Sequence, residues 1–477
     1  MNRNPLSSPI FRKISRIALS QGVKAFVIGG YVRDFFLHRP SSDIDILIVG
    51  NGIAVAQEVA RELDVHLSVF KTYGTAMLQA YGMEIEFVGA RKESYSPQSR
   101  NPKVETGTLE DDQLRRDFTI NAMAWSLNVE DFGALIDPFD GMCDLENLII
   151  RTPTDADVTF SDDPLRMMRG VRFASQLGFD LYSDTFDAIK RNAHRMSIIT
   201  KERICVELNK ILSSPKPSIG LELMELTGLM QQILPEIHTL SGVERHGTMA
   251  HKDNFKHTMQ VLDNVSRHSD NLWLRWAALL HDVAKPVTKS FDSSSGFSFH
   301  GHNVVGSKMA KNIFLRLRLP LGEPLKYVQK LIFLHMRPIS LVEDEVTDSA
   351  VRRLLFEASD DIDDLMLLAE ADITSAQRAK VEKALANMKL VREKLKDIEQ
   401  KDRIRNFKIP INGDMIMQQF DVEPSRVLAD IKEEVKNAIL DGKIPNEYEP
   451  AHELMCRLAL QRGLKRRVEL HTENADA

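Results

Sequence analysis

The spacing of apolar positions changes along this chain from strand-like runs to helical patterns. Residues 21–140 contain apolar runs of buried-strand length, such as 26–28 and 46–49, between segments with helical spacing. From about residue 141 the apolar positions recur mostly with helical spacing, and prolines separate the segments. The pattern predicts an α+β fold, with a unit of strands and helices followed by an extended all-α region.

Changes in periodicity and composition divide the chain into four predicted domains. They cover residues 1–140, 141–240, 241–400 and 401–477. The third carries most of the histidines, and the fourth is helical and polar. The longest polar stretch, 96–113, predicts a mobile loop. The first twenty residues lack the long apolar core of a signal peptide and predict a helix.

Composition narrows the class of protein. The 477 residues have a net charge of −6, which argues against a globally basic nucleic-acid binder, so any RNA contact must use local patches. Three widely separated cysteines without a CxxC pair fit a reducing cytoplasm and argue against a zinc ribbon. No apolar stretch is long enough to span a bilayer, so we expect a cytoplasmic protein without a membrane partner.

Asp43 and Asp45 are two residues apart at the start of an apolar run. In a strand, residues i and i+2 point to the same side, so both carboxylates would face one volume. They would repel each other unless a cation lay between them, and Mg²⁺ prefers such oxygen ligands. Pairs of metals commonly run nucleotidyl transfer. A turn or a solvated strand end is the alternative for an isolated pair of this kind.

A glycine pair precedes the aspartates. Gly29 and Gly30 end an apolar run where helical spacing begins, and such a strand-to-helix turn lets a phosphate approach backbone N–H groups. Arg33 lies one turn further and can add charge-assisted contacts. Glycines followed by an arginine and then by strand-borne aspartates form a much more specific signal than the glycine pair alone.

Two later segments carry arginines and aspartates. Arg115, Arg116 and Asp117 precede an apolar helical pattern, so they predict either a helix cap with a solvated patch or contacts to sugar and phosphate. In segment 162–173 an aspartate and three arginines recur every three residues, at Asp163, Arg166, Arg169 and Arg172. This stripe is either a solvated helix face or a surface that contacts polyphosphate and base edges.

These motifs occur in the order seen in class II tRNA nucleotidyltransferases, which the chain resembles over residues 20–235. The family comprises CCA-adding enzymes and bacterial poly(A) polymerases. The matching segments are GGYVRD, DIDI, RRDFTINAMA, DPFDG, DDPLRMMRGVRFA and KERICVEL. The resemblance implies a polymerase-β-like head, a helical neck, body and tail, and addition of C, C and A to tRNA from CTP and ATP without a nucleic-acid template.

The resemblance also implies roles for single residues. Asp43 and Asp45 would be catalytic and hold Mg²⁺, and Asp163 with Arg166 would read the base edge. Glu86 matches the position of a third strand carboxylate. The full set of implied nucleotide-binding residues is Gly29, Gly30, Arg33, Arg116, Asp117, Asn121, Asp163, Arg166, Arg169 and Arg172.

Other activities stay open at this point. Asp162 stands where the family usually has Glu, while the base-reading pair is intact. The full-length loop at 90–113 favours enzymes that add the final A over those that add only CC. A poly(A) polymerase would share every head motif. A protein uridylyltransferase would share only the glycines and the aspartate pair, and a non-catalytic RNA-binding protein would have decayed sites.

The third predicted domain resembles the HD phosphohydrolase superfamily. A His-Asp pair, His281 and Asp282, ends an apolar helical segment, and imidazole with carboxylate suits a divalent metal that activates water. The resemblance implies a metal site made of His257, His281, Asp282 and Asp372, extended in some members at the positions of His302 and His335. In fused members such domains act as phosphatases, nucleotidases or cyclic phosphodiesterases, whereas degenerate HD domains keep the fold without activity.

Overall fold

A computed structural model shows that the chain folds into two compact units. Unit 1 consists of residues 1–242 and 313–319, and unit 2 of residues 243–312 and 320–477. The structure describes residues 5–72, 74–96, 99–243, 245–246, 249–250, 253–294, 296–343, 347–374, 377–402, 409–420 and 422–466. The four predicted domains stay a prediction, since this division gives two units only.

A seven-stranded mixed sheet forms the centre of the N-terminal part of unit 1. Its strands are β1 (Lys24–Ile28), β2 (Asp43–Val49), β3 (Leu67–Phe70), β4 (Thr75–Ala80), β5 (Met83–Gly89), β8 (Ala124–Ser126) and β9 (Leu135–Ile136). Their order is β3-β4-β5-β2-β1-β8-β9, and only β2 and β5 pair in parallel. The apolar runs predicted as strands thus become neighbours, with β2 and β1 in the middle of the sheet.

Smaller strand pairs complete unit 1. They are β6 (Arg91–Ser96) with β7 (Ser99–Thr106), and β10 (Ile149–Ile150) with β11 (Asp180–Leu181). The predicted mobile loop at 96–113 is therefore wrong for the described residues, because most of that stretch forms the second strand of a hairpin and a helix, Leu109–Leu114. Cross-strand pairing and a capping box at Thr108 and Asp111 order a segment whose composition is polar.

Helices pack on the sheet and form the rest of unit 1. They are α1 (Pro9–Ser20), α2 (Gly30–Phe36), α3 (Gly52–Leu63), α4 (Leu109–Leu114), α5 (Gly141–Glu146), α6 (Ala156–Asp162), α7 (Leu165–Leu177), α8 (Ser183–Asn192), α9 (Lys201–Leu212), α10 (Pro217–Leu226), α11 (Leu229–Ile233) and α12 (Pro235–His238). The predicted N-terminal helix is confirmed as α1, which buries Ile10, Phe11 and Ile14 in the core beneath the sheet.

Helix α7 approaches the sheet region closely because it carries a glycine at the contact. A Cβ added at Gly170 would lie 3.0 Å from the ring of Phe118, and that ring packs edge-on against Phe173 at 5.9 Å. A larger residue at this point would push the helix outward. The close approach allows arginines on α7 to reach the segment that precedes β8.

Unit 2 is almost entirely helical. Its helices are α13 (Asn254–Ser266), α14 (Leu272–Leu280), α15 (Lys285–Thr288), α16 (His302–Leu317, whose last five residues fold with unit 1), α17 (Glu323–Leu334), α18 (Met336–Glu343), α19 (Asp348–Ala358), α20 (Ile362–Asp372), α21 (Arg378–Asp402), α22 (Gly413–Phe420), α23 (Arg426–Leu440) and α24 (Tyr448–Gln461). Two hairpins are β12 (Arg245–His246) with β13 (Met249–Ala250), and β14 (Ser290–Asp292) with β15 (Gly296–Ser298). Among the described residues we find no helix with the length and apolar character needed to cross a membrane.

The predicted α+β fold is confirmed, with the mixed sheet in the N-terminal part and helices in the remainder. Prediction succeeded because strands with alternating or continuous apolar positions and helices with a 3.6-residue period leave different patterns.

Candidate functional site

The glycine pair and the aspartates meet because β1 and β2 are antiparallel neighbours. Ile28, the last residue of β1, lies opposite Asp45 on β2, so Gly29 follows beside the aspartate. On the other side of β2, Asp45 lies opposite Glu86 of β5. Asp43, the first residue of β2, is exposed. Three carboxylates thus gather at one edge of the sheet, next to the start of α2.

Asp45 lies in surroundings that oppose its ionisation. Burial raises the pKa of Asp45 to about 6, Arg116 opposes the increase, and the carboxylates of Asp43 and Glu86 add to it. A carboxylate that its neighbours destabilise in the charged form gains from a cation placed between them. The donor set of oxygens therefore fits a divalent metal such as Mg²⁺.

Gly29 forms a cradle beside Asp45. Its φ of +86° lies in the left-handed region that favours glycine, and an added Cβ would lie 3.0 Å from Arg116 and 3.1 Å from the Asp45 carboxylate. Any other residue here would be strained and would crowd both side chains. The Gly29 backbone, the Arg116 guanidinium and the Asp45 carboxylate therefore lie around one position, which a phosphate group can approach.

A buried network links Asp117 to the arginines. One oxygen of Asp117 accepts hydrogen bonds from the Phe118 N–H at 2.9 Å and the Asn121 amide at 3.0 Å. The other accepts from Arg169 on α7 at 2.6 Å. Asn121 in turn accepts from Arg33 at 2.7 Å. The predicted helix cap is wrong, since Phe118 occupies the N-cap position of the following short helix, Thr119–Asn121.

We expect Asp117→Asn to lower the free energy of unfolding of unit 1 by about 2 kcal/mol at neutral pH. Burial by itself opposes ionisation of Asp117, but Arg169 and the Asn121 amide outweigh it and lower the pKa to about 2. A lowered pKa stabilises the fold above about pH 4, and this contribution is lost as the pH falls toward 2. Thermal unfolding of both proteins between pH 7 and pH 3 measures the difference, which should shrink on acidification.

A surface pair provides the control for this prediction. Asp157 and Arg191 form an ion pair at 2.6 Å but are about half exposed, at 46% and 57%. Asp157→Asn should therefore change stability by less than about 1 kcal/mol. Equal losses from the two substitutions would contradict the role assigned to burial of Asp117.

The arginine stripe is mostly buried, so its interpretation as a solvated helix face is wrong. Arg166 and Arg172 are each 9% exposed. Arg166 donates to the backbone oxygen of Arg115 at 2.6 Å, and Arg172 pairs with Glu207 at 2.7 Å. Asp163, just before α7, accepts from the Leu165 N–H at 3.1 Å and from Arg203 at 2.9 Å.

All ten residues predicted to bind nucleotide line one cleft of about 430 Å³, together with Asp45. They are Gly29, Gly30, Arg33, Arg116, Asp117, Asn121, Asp163, Arg166, Arg169 and Arg172. Asp43 lies on the same strand as Asp45 but does not line the cleft. The cleft thus combines the Asp45 carboxylate with a cluster of guanidinium groups, an arrangement that suits a metal-bound triphosphate.

Sequence reasoning missed three charged residues that hold this site. Arg203 and Glu207 on α9 pair with Asp163 and Arg172, and fully buried Asp112 on α4 pairs with Arg116 at 3.1 Å. The segment KERICVEL, which carries two of them, was recognised only as a motif. Its i, i+4 spacing of Arg and Glu was the available signal.

In unit 2 the six predicted metal ligands come together from five helices. His257 lies on α13, Asp372 ends α20, His302 begins α16, and His281 and His335 directly follow α14 and α17. The ligand atoms form two groups, one with His257, His281 and Asp372 and one with Asp282, His302 and His335, each within 4.8 Å. One oxygen of Asp282 lies 3.2 Å from His281, and the other lies 3.5 Å from His302.

Each of the four imidazoles has its Nδ1 atom bonded to a partner outside the centre. The Nδ1 atoms of His281, His302 and His335 lie 2.7–2.8 Å from the backbone oxygens of Ala278, Phe299 and Ile332. His257 Nδ1 lies 2.8 Å from the hydroxyl of Thr374. These contacts hold each ring with Nε2 toward the centre, as outer partners do for metal-binding histidines.

The electrostatics of this centre also fit a cation. His281 Nε2 is buried and lies 3.2 Å from an oxygen of Asp282 and 3.6 Å from an oxygen of Asp372. Burial opposes protonation of this ring, but the two carboxylates outweigh burial and raise the pKa of His281 to about 10. Burial lowers the pKa of His335 to about 4 and also lowers that of His257, whose Nε2 lies 2.8 Å from Asp372, so both rings are neutral at pH 7. Burial opposes ionisation of Asp282 as well, but His281 and Lys285 keep its pKa well below the usual range. Neutral imidazoles with ionised carboxylates are the forms that bind metals, so a metal held here would replace the proton on His281.

Three domain families match the chain in order. The poly(A) polymerase head domain matches residues 25–151, the probable RNA- and SrmB-binding site of polymerase A matches residues 178–240, and the HD domain matches residues 254–388. A solved tRNA nucleotidyltransferase, complexed with a primer tRNA and an incoming ATP analogue, has a TM-score of 0.58 and 25% identity, covering 81% of this chain and 99% of that one.

Relatives extend the comparison to most of the chain. An A-adding tRNA nucleotidyltransferase from Aquifex aeolicus is 39% identical over 204 residues, which are 43% of this chain and 24% of that protein. The CCA-adding enzyme of Streptococcus sanguinis is 31% identical over 448 residues, covering 93% of this chain and 95% of that enzyme. Similarity over nearly the full length of both proteins confirms the resemblance, and the chain belongs to the family of CCA-adding enzymes, the tRNA nucleotidyltransferases.

Proposed function

We propose that this enzyme adds C, C and A in turn to the 3′ end of tRNA, using CTP and ATP, without a nucleic-acid template and with release of pyrophosphate. The convergence of all ten predicted nucleotide-binding residues on the cleft beside Asp45 carries the proposal. Support also comes from the full-length similarity to a CCA-adding enzyme. The tRNA would be held mainly by phosphate contacts, so its affinity should fall with salt.

Asp43 and Asp45 are the residues that would hold Mg²⁺. When bound there, Mg²⁺ lowers the pKa of the tRNA 3′-hydroxyl and neutralises charge on the triphosphate, as in two-metal transferases. The N–H groups at the start of α2 would bind phosphate oxygens beside Gly29. Arg33 and Arg116 would add positive charge, and Asp117, held by Arg169 and Asn121, would accept a hydrogen bond from the ribose.

Asp163 and Arg166, at the N-terminal end of α7, would select the base of the incoming nucleotide. A carboxylate accepts hydrogen bonds and a guanidinium donates them, so together they match the amino group and ring nitrogen of cytosine or adenine. Arg172, paired with buried Glu207, would hold α7 in place.

Primer extension on defined tRNAs tests the proposed reaction. On a tRNA that lacks CCA, CTP alone should give two additions, and CTP with ATP should give three and then stop. A tRNA ending in CC should take one A, and a complete CCA end should take none. A long ladder of A on any RNA would instead identify a poly(A) polymerase.

Addition of A alone is a second candidate, because an A-adding relative shows 39% identity over 204 residues, 43% of this chain. The same assay separates the two candidates. An enzyme that only adds A would leave a tRNA without CC unextended in CTP and would still complete a tRNA ending in CC.

We also propose a metal-dependent phosphohydrolase at the centre of unit 2. The arrangement of four oriented imidazoles with two carboxylates supports this proposal. A divalent metal held there would activate water for attack on a phosphate ester. Cyclic phosphates and phosphate monoesters at nucleotide ends are the substrates to test first, with Mg²⁺, Mn²⁺ and Ni²⁺ added separately.

A further inference from the structure

Helix α9 carries two charged side chains, one turn apart, that face α7 and the aspartate just before it. Arg203 pairs with Asp163 at 2.9 Å, and Glu207 pairs with Arg172 at 2.7 Å. Residues at i and i+4 lie on the same helix face, so α9 offers a cation and an anion to complementary partners. Glu207 and Arg172 are buried, whereas the Arg203 side chain is 43% exposed and lines the cleft.

The carboxylate of Asp163 is held at both oxygens. Oδ1 accepts from the Leu165 N–H at 3.1 Å, and Oδ2 accepts from Arg203 at 2.9 Å. The first contact is local to the start of α7, while the second comes from forty residues further along the chain. Among the described residues, Arg203 provides the one ion pair that Asp163 makes.

We propose that Arg203 is a positioning residue for nucleotide selection, which fixes the Asp163 carboxylate so that its acceptor atoms meet an amino group on the incoming base. The inference rests on the proposed base-reading role of Asp163. It adds a residue outside the Asp-Arg pair, on a separate helix, that determines how strictly the pair discriminates.

The chemistry explains why orientation affects selectivity. Cytosine and adenine carry an exocyclic amino donor where uracil and guanine carry a carbonyl oxygen. An ionised carboxylate only accepts hydrogen bonds, so it attracts the first pair of bases and repels the second. With Arg203 removed, Asp163 keeps only its contact to the Leu165 N–H. Its carboxylate can then rotate away from the base, which weakens both the attraction and the repulsion.

The test compares single-nucleotide addition from CTP and from UTP to a tRNA that lacks CCA. We expect Arg203→Ala to raise KM for CTP and to lower the ratio of kcat/KM for CTP over UTP by about tenfold, the size of one lost base contact. Arg203→Lys retains the charge and should recover part of the ratio. Arg191→Ala removes an arginine from an exposed pair with Asp157 and should leave the ratio unchanged.

The results for these variants distinguish a positioning role of Arg203 from a phosphate-binding or structural role. If Arg203→Ala lowers kcat/KM equally for both nucleotides, Arg203 binds phosphate or supports the fold, and the inference is overturned. If Asp163→Ala itself keeps the wild-type ratio, base reading by Asp163 fails, and the proposed function must be revised before Arg203 is considered. If Arg203→Ala does not fold, Arg203→Gln and Arg203→Lys are compared instead. The lysine variant should then show the higher ratio of kcat/KM for CTP over UTP, and equal ratios in the two variants would overturn the inference.

Discussion

Asp45→Asn should reduce nucleotide addition by at least about 1,000-fold, because it removes a charge at which metal and substrate phosphates would meet. The substitution keeps the size of the side chain. Burial raises the pKa of Asp45 to about 6, so the fold itself disfavours the ionised form. The variant should therefore melt no lower than the wild type in metal-free buffer. Primer extension with CTP and ATP measures the activity, and thermal unfolding measures the stability.

A matched control distinguishes the loss of the Asp45 carboxylate from the loss of one negative charge elsewhere on the protein. Glu58 on α3 pairs with Arg61 at the surface of the same unit, and Glu58→Gln also converts a carboxylate to an amide. This control should retain full addition activity. Wild-type activity in Asp45→Asn would refute the metal assignment and would favour a protein in which the cleft only binds RNA.

Predictability from the sequence differed between parts of the site. The strands, the glycine turn and Asp45 were predictable, because each depends on a local pattern of apolar positions and on the two-residue period of a strand. The ten residues predicted to bind nucleotide were identified through the family resemblance, and they line one cleft in the structure.

Long-range contacts explain what the sequence did not show. The pairing of Arg203 with Asp163 spans forty residues and depends on how α9 packs beside α7, which no local pattern encodes. The hairpin β6–β7 was missed for a related reason. Its strands are polar and depend on pairing with each other, whereas a polar composition by itself favours a loop.

Asp282→Asn should abolish stable metal binding in unit 2, with a loss of affinity of at least about 100-fold, since removing even an outer partner of a metal ligand costs 10- to 100-fold. The two oxygens of Asp282 face different ligands, with His281 at 3.2 Å from one and His302 at 3.5 Å from the other. One substitution should therefore disturb both ligand groups. Metal content after equilibrium dialysis against Mn²⁺ or Ni²⁺ measures the effect without relying on any hydrolytic activity.

Two further variants make this test specific. His268 is exposed on the same unit and does not belong to either ligand group, so His268→Ala should bind as much metal as the wild type. His281→Ala removes the buried ring whose Nε2 faces Asp282 and Asp372, and it should lose metal as Asp282→Asn does. Both metal-site variants should still extend tRNA, because the transferase cleft is built from residues of unit 1 alone. Retention of metal in both would show that the six residues form a structural polar cluster instead of a metal centre.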